Sequence, residues 1–403
     1  MNKYSPLDYI KIDMANQFGH DKKSFPQRIA WVNSLKDPKS KTAQAEKPAQ
    51  YYAACLVLED ALAGAPTGHL VGLDACASGI TILGILIGCH TTSANVGITG
   101  TKRMDMYAEC TKAMNAILGG DLNIPRSEVK SSQMTHFYGS KAQPKKTFGD
   151  DTDELMAFYM AQETVAPGAC VMMRELLDSW QPYALDHSHT LPDGFVSRVP
   201  VLEKFKAKIE IDELDHASLT YIYEDNVGSE RGLAVAANMT HAVDGFLVRE
   251  VVRRCNYDRE HLLNVLDILN THRGTMKQIG IPAHPVQKAA TNHQFLSLRG
   301  AEYITENTVT QFSISYRKEL TSLIVDVLNK PSFPILTIHD EFKCHPNHVN
   351  DMRAVYQGIL AELADSRVGE QIIQEVRNDP DYQLTKLSTN LGDEIMKGEY
   401  FLS

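Results

Sequence analysis

The chain has 403 residues, enough to bury a large core and to make two or three lobes. Its 43% hydrophobic and 22% charged content is that of an ordinary globular protein, and its formal net charge of −10 argues against a protein that coats nucleic acid by bulk charge. That balance still leaves room for a cleft lined with lysine and arginine.

Seven cysteines without a CxxC pair predict reduced thiols in a cytoplasm rather than a disulfide frame. The opening "MNKYSPLDYIKID" has no apolar run behind its first lysine, so no signal peptide is predicted. Residues 1 to about 60 read as helical, interrupted by the loop "GHDKKSFPQR". "TGHLVGLDACASG" reads as a short buried strand ending near Asp74. The run "GITILGILIGC" that follows is about half the length a bilayer needs, so it predicts a core helix and no membrane association. "DLNIPRSEVKSSQMTHFYGSK" predicts a helix with Asn123 as cap, Pro125 in the first turn and Gly139 at its end. Residues 142–200 look mixed. "KFKAKIEIDELDHASLTYIYED" alternates like a strand pair, and "HAVDGFLVREVVRRC" like a helix carrying Arg249, Arg253 and Arg254. A partly helical stretch leads to "PILTIHDEFKCHP", two β-branched strands around a His–Asp turn.

Three constellations can carry chemistry. Asp74 ends an apolar strand and Asp340 sits at a hairpin tip. If the strands are neighbours, their carboxylates converge on a spot suited to magnesium, which takes oxygen ligands and substrate phosphates. Singly, Asp74 is as well explained as a helix cap and Asp340 as a turn residue. Arg126 and Lys130, four apart, project from one helix face, with Tyr138 two turns on. Two cations a turn apart suit a triphosphate, and equally a solvated basic face. Lys22 and Lys23 could reach a phosphate from their loop. His187, His189, His345 and His348 have no tetrahedral ligand spacing, and no Walker A, GxGxxG or GxSxG motif occurs.

The order of these segments resembles that in single-subunit, bacteriophage-type DNA-dependent RNA polymerases, from about residue 8 onward. "LDACASGI" resembles the family's first palm motif, which implies a metal-binding role for Asp74 and a further ligand in the Ala75 carbonyl. "RSEVKSSQMTHFYGSK" resembles the fingers motif, implying that Arg126 and Lys130 hold the triphosphate and that Tyr138, before Gly139, helps choose ribose. "HAVDG" resembles a segment whose histidine touches the minor groove at the growing end, here His241. "IHDEF" resembles the last palm motif, with His339 beside the second metal-binding aspartate, Asp340. "HDKKSFPQRI" is similar to a stretch whose lysine reaches the triphosphate, here Lys22, and "NLGDEIMKGEYFLS" to the closing foot.

The resemblance implies a mostly helical α/β fold: a right-hand polymerase palm and fingers around a small antiparallel palm sheet. Residues 1–90 would form the first part of the palm and 91–240 the fingers, with the nucleotide-binding helix at 125–138. Residues 241–403 would complete the palm, with an insertion at about 256–320 and a C-terminal foot. It is closest to the larger chain of split, two-chain podophage RNA polymerases. The promoter-binding domain, thumb and D-x-x-G-R motif have no counterpart, which implies a second polypeptide and a heterodimer. The implied setting is the infected host's cytoplasm, with Mg2+, nucleoside triphosphates, template DNA and RNA product as companions. The hairpin "IEIDELDHASLTYIYED" is short and acidic, a poor reader of duplex, which points to a single-strand-DNA-binding or recruiting factor. The rival expectations are a DNA polymerase of the related fold, a metal-dependent phosphohydrolase with the His–Asp pair on a helix, and a non-catalytic polymerase-like subunit.

Overall fold

The computed structural model describes residues 1–119, 123–277 and 280–403, and helices dominate it, with small antiparallel sheets among them. Helices α1 (Pro6–Phe18) and α2 (Phe25–Asn33) begin at Ser5 and Ser24, whose hydroxyls accept from the Asp8 and Gln27 amides. Between them the "HDKKS" loop is held from below by Arg28. This wholly buried guanidinium donates to the carbonyls of Lys23 at 2.9 Å and Asp21 at 2.5 Å, and to Asn16 Oδ1 at 2.8 Å. One arginine thus replaces the ladder that the loop backbone lacks. Helix α3 (Pro48–Leu62) packs across α1.

Strand β1 (Val71–Asp74) feeds the apolar helix α4 (Ser78–Leu86), which is buried as its sequence requires. Helices α5 (His90–Val96), α6 (Met106–Ile117) and α7 (Arg126–His136) follow. The stretch read as mixed holds three helices, α8 (Ala142–Phe148), α9 (Asp153–Val165) and α10 (Pro167–Asp178), followed by loops and short strands. Its punctuation falls at helix ends, with Gly149 closing α8 and Pro167 opening α10, where glycine and proline cost little. No described helix is long and apolar enough to cross a membrane.

Strands β2 (His189–Thr190) and β3 (Val196–Ser197) pair, then β4 (Leu202–Ile211) and β5 (Ala217–Asn226) form a hairpin of two ten-residue strands, exposed along all of β5. The hairpin is therefore not short. Lys204, Lys206 and Lys208 of β4 alternate on one of its faces, so it is not uniformly acidic either. Helix α11 (Ala234–Cys255) starts earlier than "HAVDG" suggested.

Helices α12 (Arg259–Thr271), α13 (Pro285–His293) and α14 (Ile314–Leu328) build a separate core around Val265, Phe312, Leu320 and Ile324. An ion network ties this unit to α11. Buried Glu250 accepts from Arg254 Nε at 2.9 Å, Ser297 Oγ at 2.5 Å and the Leu298 amide at 2.8 Å. Nearby, Asp193 accepts from Arg249 and Arg253.

The chain returns through β6 (Ile335–Ile338) and β7 (Glu341–Cys344) before α15 (Val349–Asp365), α16 (Val368–Arg377) and α17 (Leu391–Ile395). The main sheet has the order β1–β7–β6. Central β7 is anchored by buried Phe342 and Cys344. Edge strand β6 leaves Leu336 and Ile338 half-exposed, because nothing described covers that face.

Replacing Glu250 by alanine removes one partner from a buried ion network. Unfolding free energy should fall by about 3–5 kcal/mol. Denaturant titration checks this, and a loss under about 1 kcal/mol would contradict the anchoring role.

Candidate active site

The site grows from the β1–β7–β6 sheet. Asp74, the last residue of β1, stands opposite Glu341 in the antiparallel register, and the Ala75 amide donates to the Asp340 carbonyl at 3.2 Å. Asp340 follows His339 in a two-residue turn between β6 and β7. His339 has φ +54°, the left-handed region that glycine favours at such turns, at a cost of order 1 kcal/mol. The turn is thereby fixed with both aspartates at one end of the sheet. Gly72 gives Glu341 room, since a Cβ there would collide with Glu341 Oε1. Glu341 also pairs with Lys343 at 3.2 Å.

This crowding is visible in proton affinity. The Asp74 carboxyl opens onto a cleft yet is flanked by protein, and its pKa is pushed up to about 6 by burial, then by Asp340 and Glu341, with Lys22 opposing. Asp244, on α11 one turn beyond His241, is likewise raised to about 6 by burial and by Asp340, with His339 easing it.

The opposite wall is cationic. Helix α7 starts at Arg126, with Pro125 rather than Asn123 at the N-cap and no side-chain cap; proline already sets the extended backbone that a cap needs. The Arg126 Nε and Nη2 donate to Asp105 at 2.9 and 3.0 Å. The Tyr107 ring lies 5.5 Å from the Arg126 guanidinium and 5.6 Å from Lys130 Nζ. Lys22, exposed and paired with Asp21 at 2.6 Å, reaches the same cleft.

Tyr138 does not continue the α7 face. The helix ends at His136, and Tyr138 lies in the turn closed by Gly139 at φ +85°. Its ring stacks on His241, with centroids 4.7 Å apart and planes at 26°. Gly79 faces its hydroxyl, where a Cβ would lie 2.9 Å from Tyr138 Oη. Burial, Asp244 and Asp340 raise the Tyr138 pKa, so the phenol is kept protonated.

One cleft of about 540 Å³ takes in Lys22, Asp74, Ala75, Arg126, Lys130, Tyr138, His241, His339 and Asp340. Gly139 stands behind it against Leu177 and Leu233. Asp105, Tyr107, Asp244 and Glu341 are among the lining residues that the sequence did not single out. The i, i+3 spacing of His241 and Asp244 was a usable signal, while Asp105 had only a cap pattern to offer.

The donor set suits magnesium. Two carboxylates and the Ala75 carbonyl are hard oxygen donors, and Asp340 and Glu341, which add to burial in raising the Asp74 pKa, are negative charges that a dication would offset. Among the described residues, the group of three potential ligands lying within 4.8 Å of one another is elsewhere, at Glu210, Asp212 and His216 on the exposed hairpin tip. Ion pairs of His216 Nδ1 with Glu210 at 2.9 Å and Asp212 at 3.2 Å account for that cluster. His187 and His189 are buried away from the cleft.

An acidic floor, a cationic wall and a stacked aromatic are groups that can meet a metal-bound polyphosphate. Residues 3–179 match the sequence model of a family described as DNA-dependent RNA polymerase. The matched segment holds Lys22, Asp74, Arg126, Lys130 and Tyr138, and stops before His241 and Asp340. No curated protein matches the chain.

The raised pKa values give a pH test. Ionising Asp74 and Asp244 costs the folded state, so their contribution to stability falls as pH rises from the ordinary 3.8 through 6. His189 and His293, pushed down to about 4 by burial, contribute with the opposite sign. The Asp340→Asn difference cancels those histidines. In chelator, Asp340→Asn should be more stable than wild type, by a margin that widens from pH 4 to pH 7. Denaturation midpoints across pH check this, and a margin independent of pH would contradict it.

Proposed function

We propose that this chain is the catalytic subunit of a DNA-dependent RNA polymerase, adding nucleotides to an RNA 3′-end with Asp74 and Asp340 at its centre. The carrying observation is the convergence, in one cleft, of Asp74 at the end of β1 and Asp340 in the β6–β7 turn with Arg126, Lys130 and Lys22 on the facing wall. The family match over residues 3–179 supports polymerase function. In this reading the β1–β7–β6 sheet is the floor of a palm, α7 belongs to the fingers and the unit at about 256–320 is an insertion.

Asp74 and Asp340, with the Ala75 carbonyl, would hold magnesium, which when bound supplies activation of the 3′-hydroxyl and neutralises charge on the pyrophosphate leaving group. Arg126, Lys130 and Lys22 clamp the triphosphate, so binding energy goes into alignment. Tyr138, fixed between Gly79 and His241, offers its hydroxyl where a ribose 2′-hydroxyl can be tested. His339 shapes the turn that aims Asp340.

Further observations support the finer parts. The open edge of β6, with Leu336 and Ile338 half-exposed beside the site, offers a sheet edge and apolar surface to a partner polypeptide. The three lysines on one hairpin face can meet phosphates, but residues 202–226 carry seven acidic residues against them and no arginine or glutamine, which favours a single-strand-binding or recruiting factor. The His–Asp pair lies in a strand turn rather than on a helix, which disfavours the phosphohydrolase. A DNA polymerase of related fold differs in the sugar it accepts, and that is tested directly.

With the partner chain, single-stranded DNA and magnesium, ribonucleotides should be incorporated. Asp74→Asn and Asp340→Asn should each lower the rate about a thousandfold or more while folding normally. Tyr138→Phe should raise deoxyribonucleotide use about tenfold relative to ribonucleotides. Extension assays with radiolabelled nucleotides check this. Full activity in Asp340→Asn, or a wild-type preference for deoxyribonucleotides, would overturn the reading.

A further inference from the structure

Resting on that reading, we propose that Asp105 is a positioning residue that presets the triphosphate clamp by fixing Arg126. The two cations of α7 are organised by the first turn of another helix. Asp105 is the N-cap of α6, its Oδ1 accepting from the Tyr107 and Ala108 amides at 3.1 and 3.3 Å. The same carboxylate takes the Nε and Nη2 edge of Arg126 at 2.9 and 3.0 Å. Two residues on, Tyr107 places its ring beneath both Arg126 and Lys130. The start of α6 is therefore a platform that fixes the direction of one cation and supports both.

The geometry separates this role from competition with substrate. Asp105 occupies one edge of the guanidinium. Among the described residues, Arg126 Nη1 has no hydrogen-bond partner and Lys130 no ion-pair partner, and both line the cleft with Asp74 and Asp340. The carboxylate is also spread over helix N-terminal amides, which lowers its repulsion toward an incoming phosphate. Arginine and lysine side chains lose much rotamer freedom when they bind, and a cation already oriented loses less. Asp105 thus supplies preorganisation while Nη1 and Lys130 meet the anion.

Capping alone would also explain an aspartate here, and Asn separates the two roles because it caps as well as Asp but cannot pair with arginine as a charge. The test is equilibrium binding of magnesium–ATP to the purified full-length chain, by calorimetry. Asp105→Asn should weaken binding about tenfold with an unchanged melting temperature. Arg126→Ala should weaken it as well, and the double variant should be no weaker than Arg126→Ala, the signature of one residue acting through the other. In extension assays Asp105→Asn should raise KM for the nucleotide more than it lowers kcat. Wild-type binding by Asp105→Asn, with Arg126→Ala impaired, would overturn the positioning role and leave the polymerase reading standing. Tighter binding by Asp105→Asn would also overturn it, since the carboxylate would then be a competitor. Equal binding by wild type and Arg126→Ala would overturn the clamp, and the inference with it.

Discussion

Negative charge has to be gathered against its own repulsion. Asp74 and Asp340 come from distant parts of the chain and are brought to one end of a three-stranded sheet, beside Glu341 and near Asp244. The raised proton affinity of Asp74 and Asp244 reflects burial first and that repulsion second. Much of the surrounding structure meets this constraint: β7 is central and anchored by Phe342 and Cys344, the tight turn holds His339 in a left-handed conformation, and the Ala75 amide ties β1 to the turn. Clustering carboxylates in this way costs folding free energy that the packing beneath must offset.

The positive wall answers the same constraint from the other side. Its cations sit on different elements, Lys22 on a loop shaped by buried Arg28 and Arg126 and Lys130 on α7, held by Asp105 and Tyr107. In the proposed reading, fixing them before a substrate arrives moves part of the entropic cost from binding to folding. Tyr138 is fixed similarly, by a glycine that leaves space and a histidine that stacks. The unit built by α12, α13 and α14 has its own core and is tied to α11 through Glu250.

Much of this was legible in the sequence where local pattern and chemistry agree. The strand ending at Asp74, the apolar helix after it, the Arg126–Lys130 face and the His339–Asp340 turn each have a periodicity or a turn signal. What was illegible depends on contacts between elements. Asp105 meets Arg126 across two helices, and no spacing rule links them. Pro125 as cap, and the helices from 142 to 178, were obscured because proline and glycine mark helix ends as readily as loops. The hairpin itself was legible in the alternation of "KFKAKIEIDELDHASLTYIYED", whereas the motif "IEIDELDHASLTYIYED" excludes the lysine-bearing stretch of β4 and so looks shorter and more acidic than the hairpin is.

The most direct test of the account is a crystal structure with a non-hydrolysable ribonucleoside triphosphate and manganese, whose anomalous signal locates the ion. The account predicts anomalous density between the carboxylates of Asp74 and Asp340, with the triphosphate against Arg126 and Lys130. Manganese at Glu210, Asp212 and His216 with none at Asp74 and Asp340, or a triphosphate bound away from α7, would contradict it.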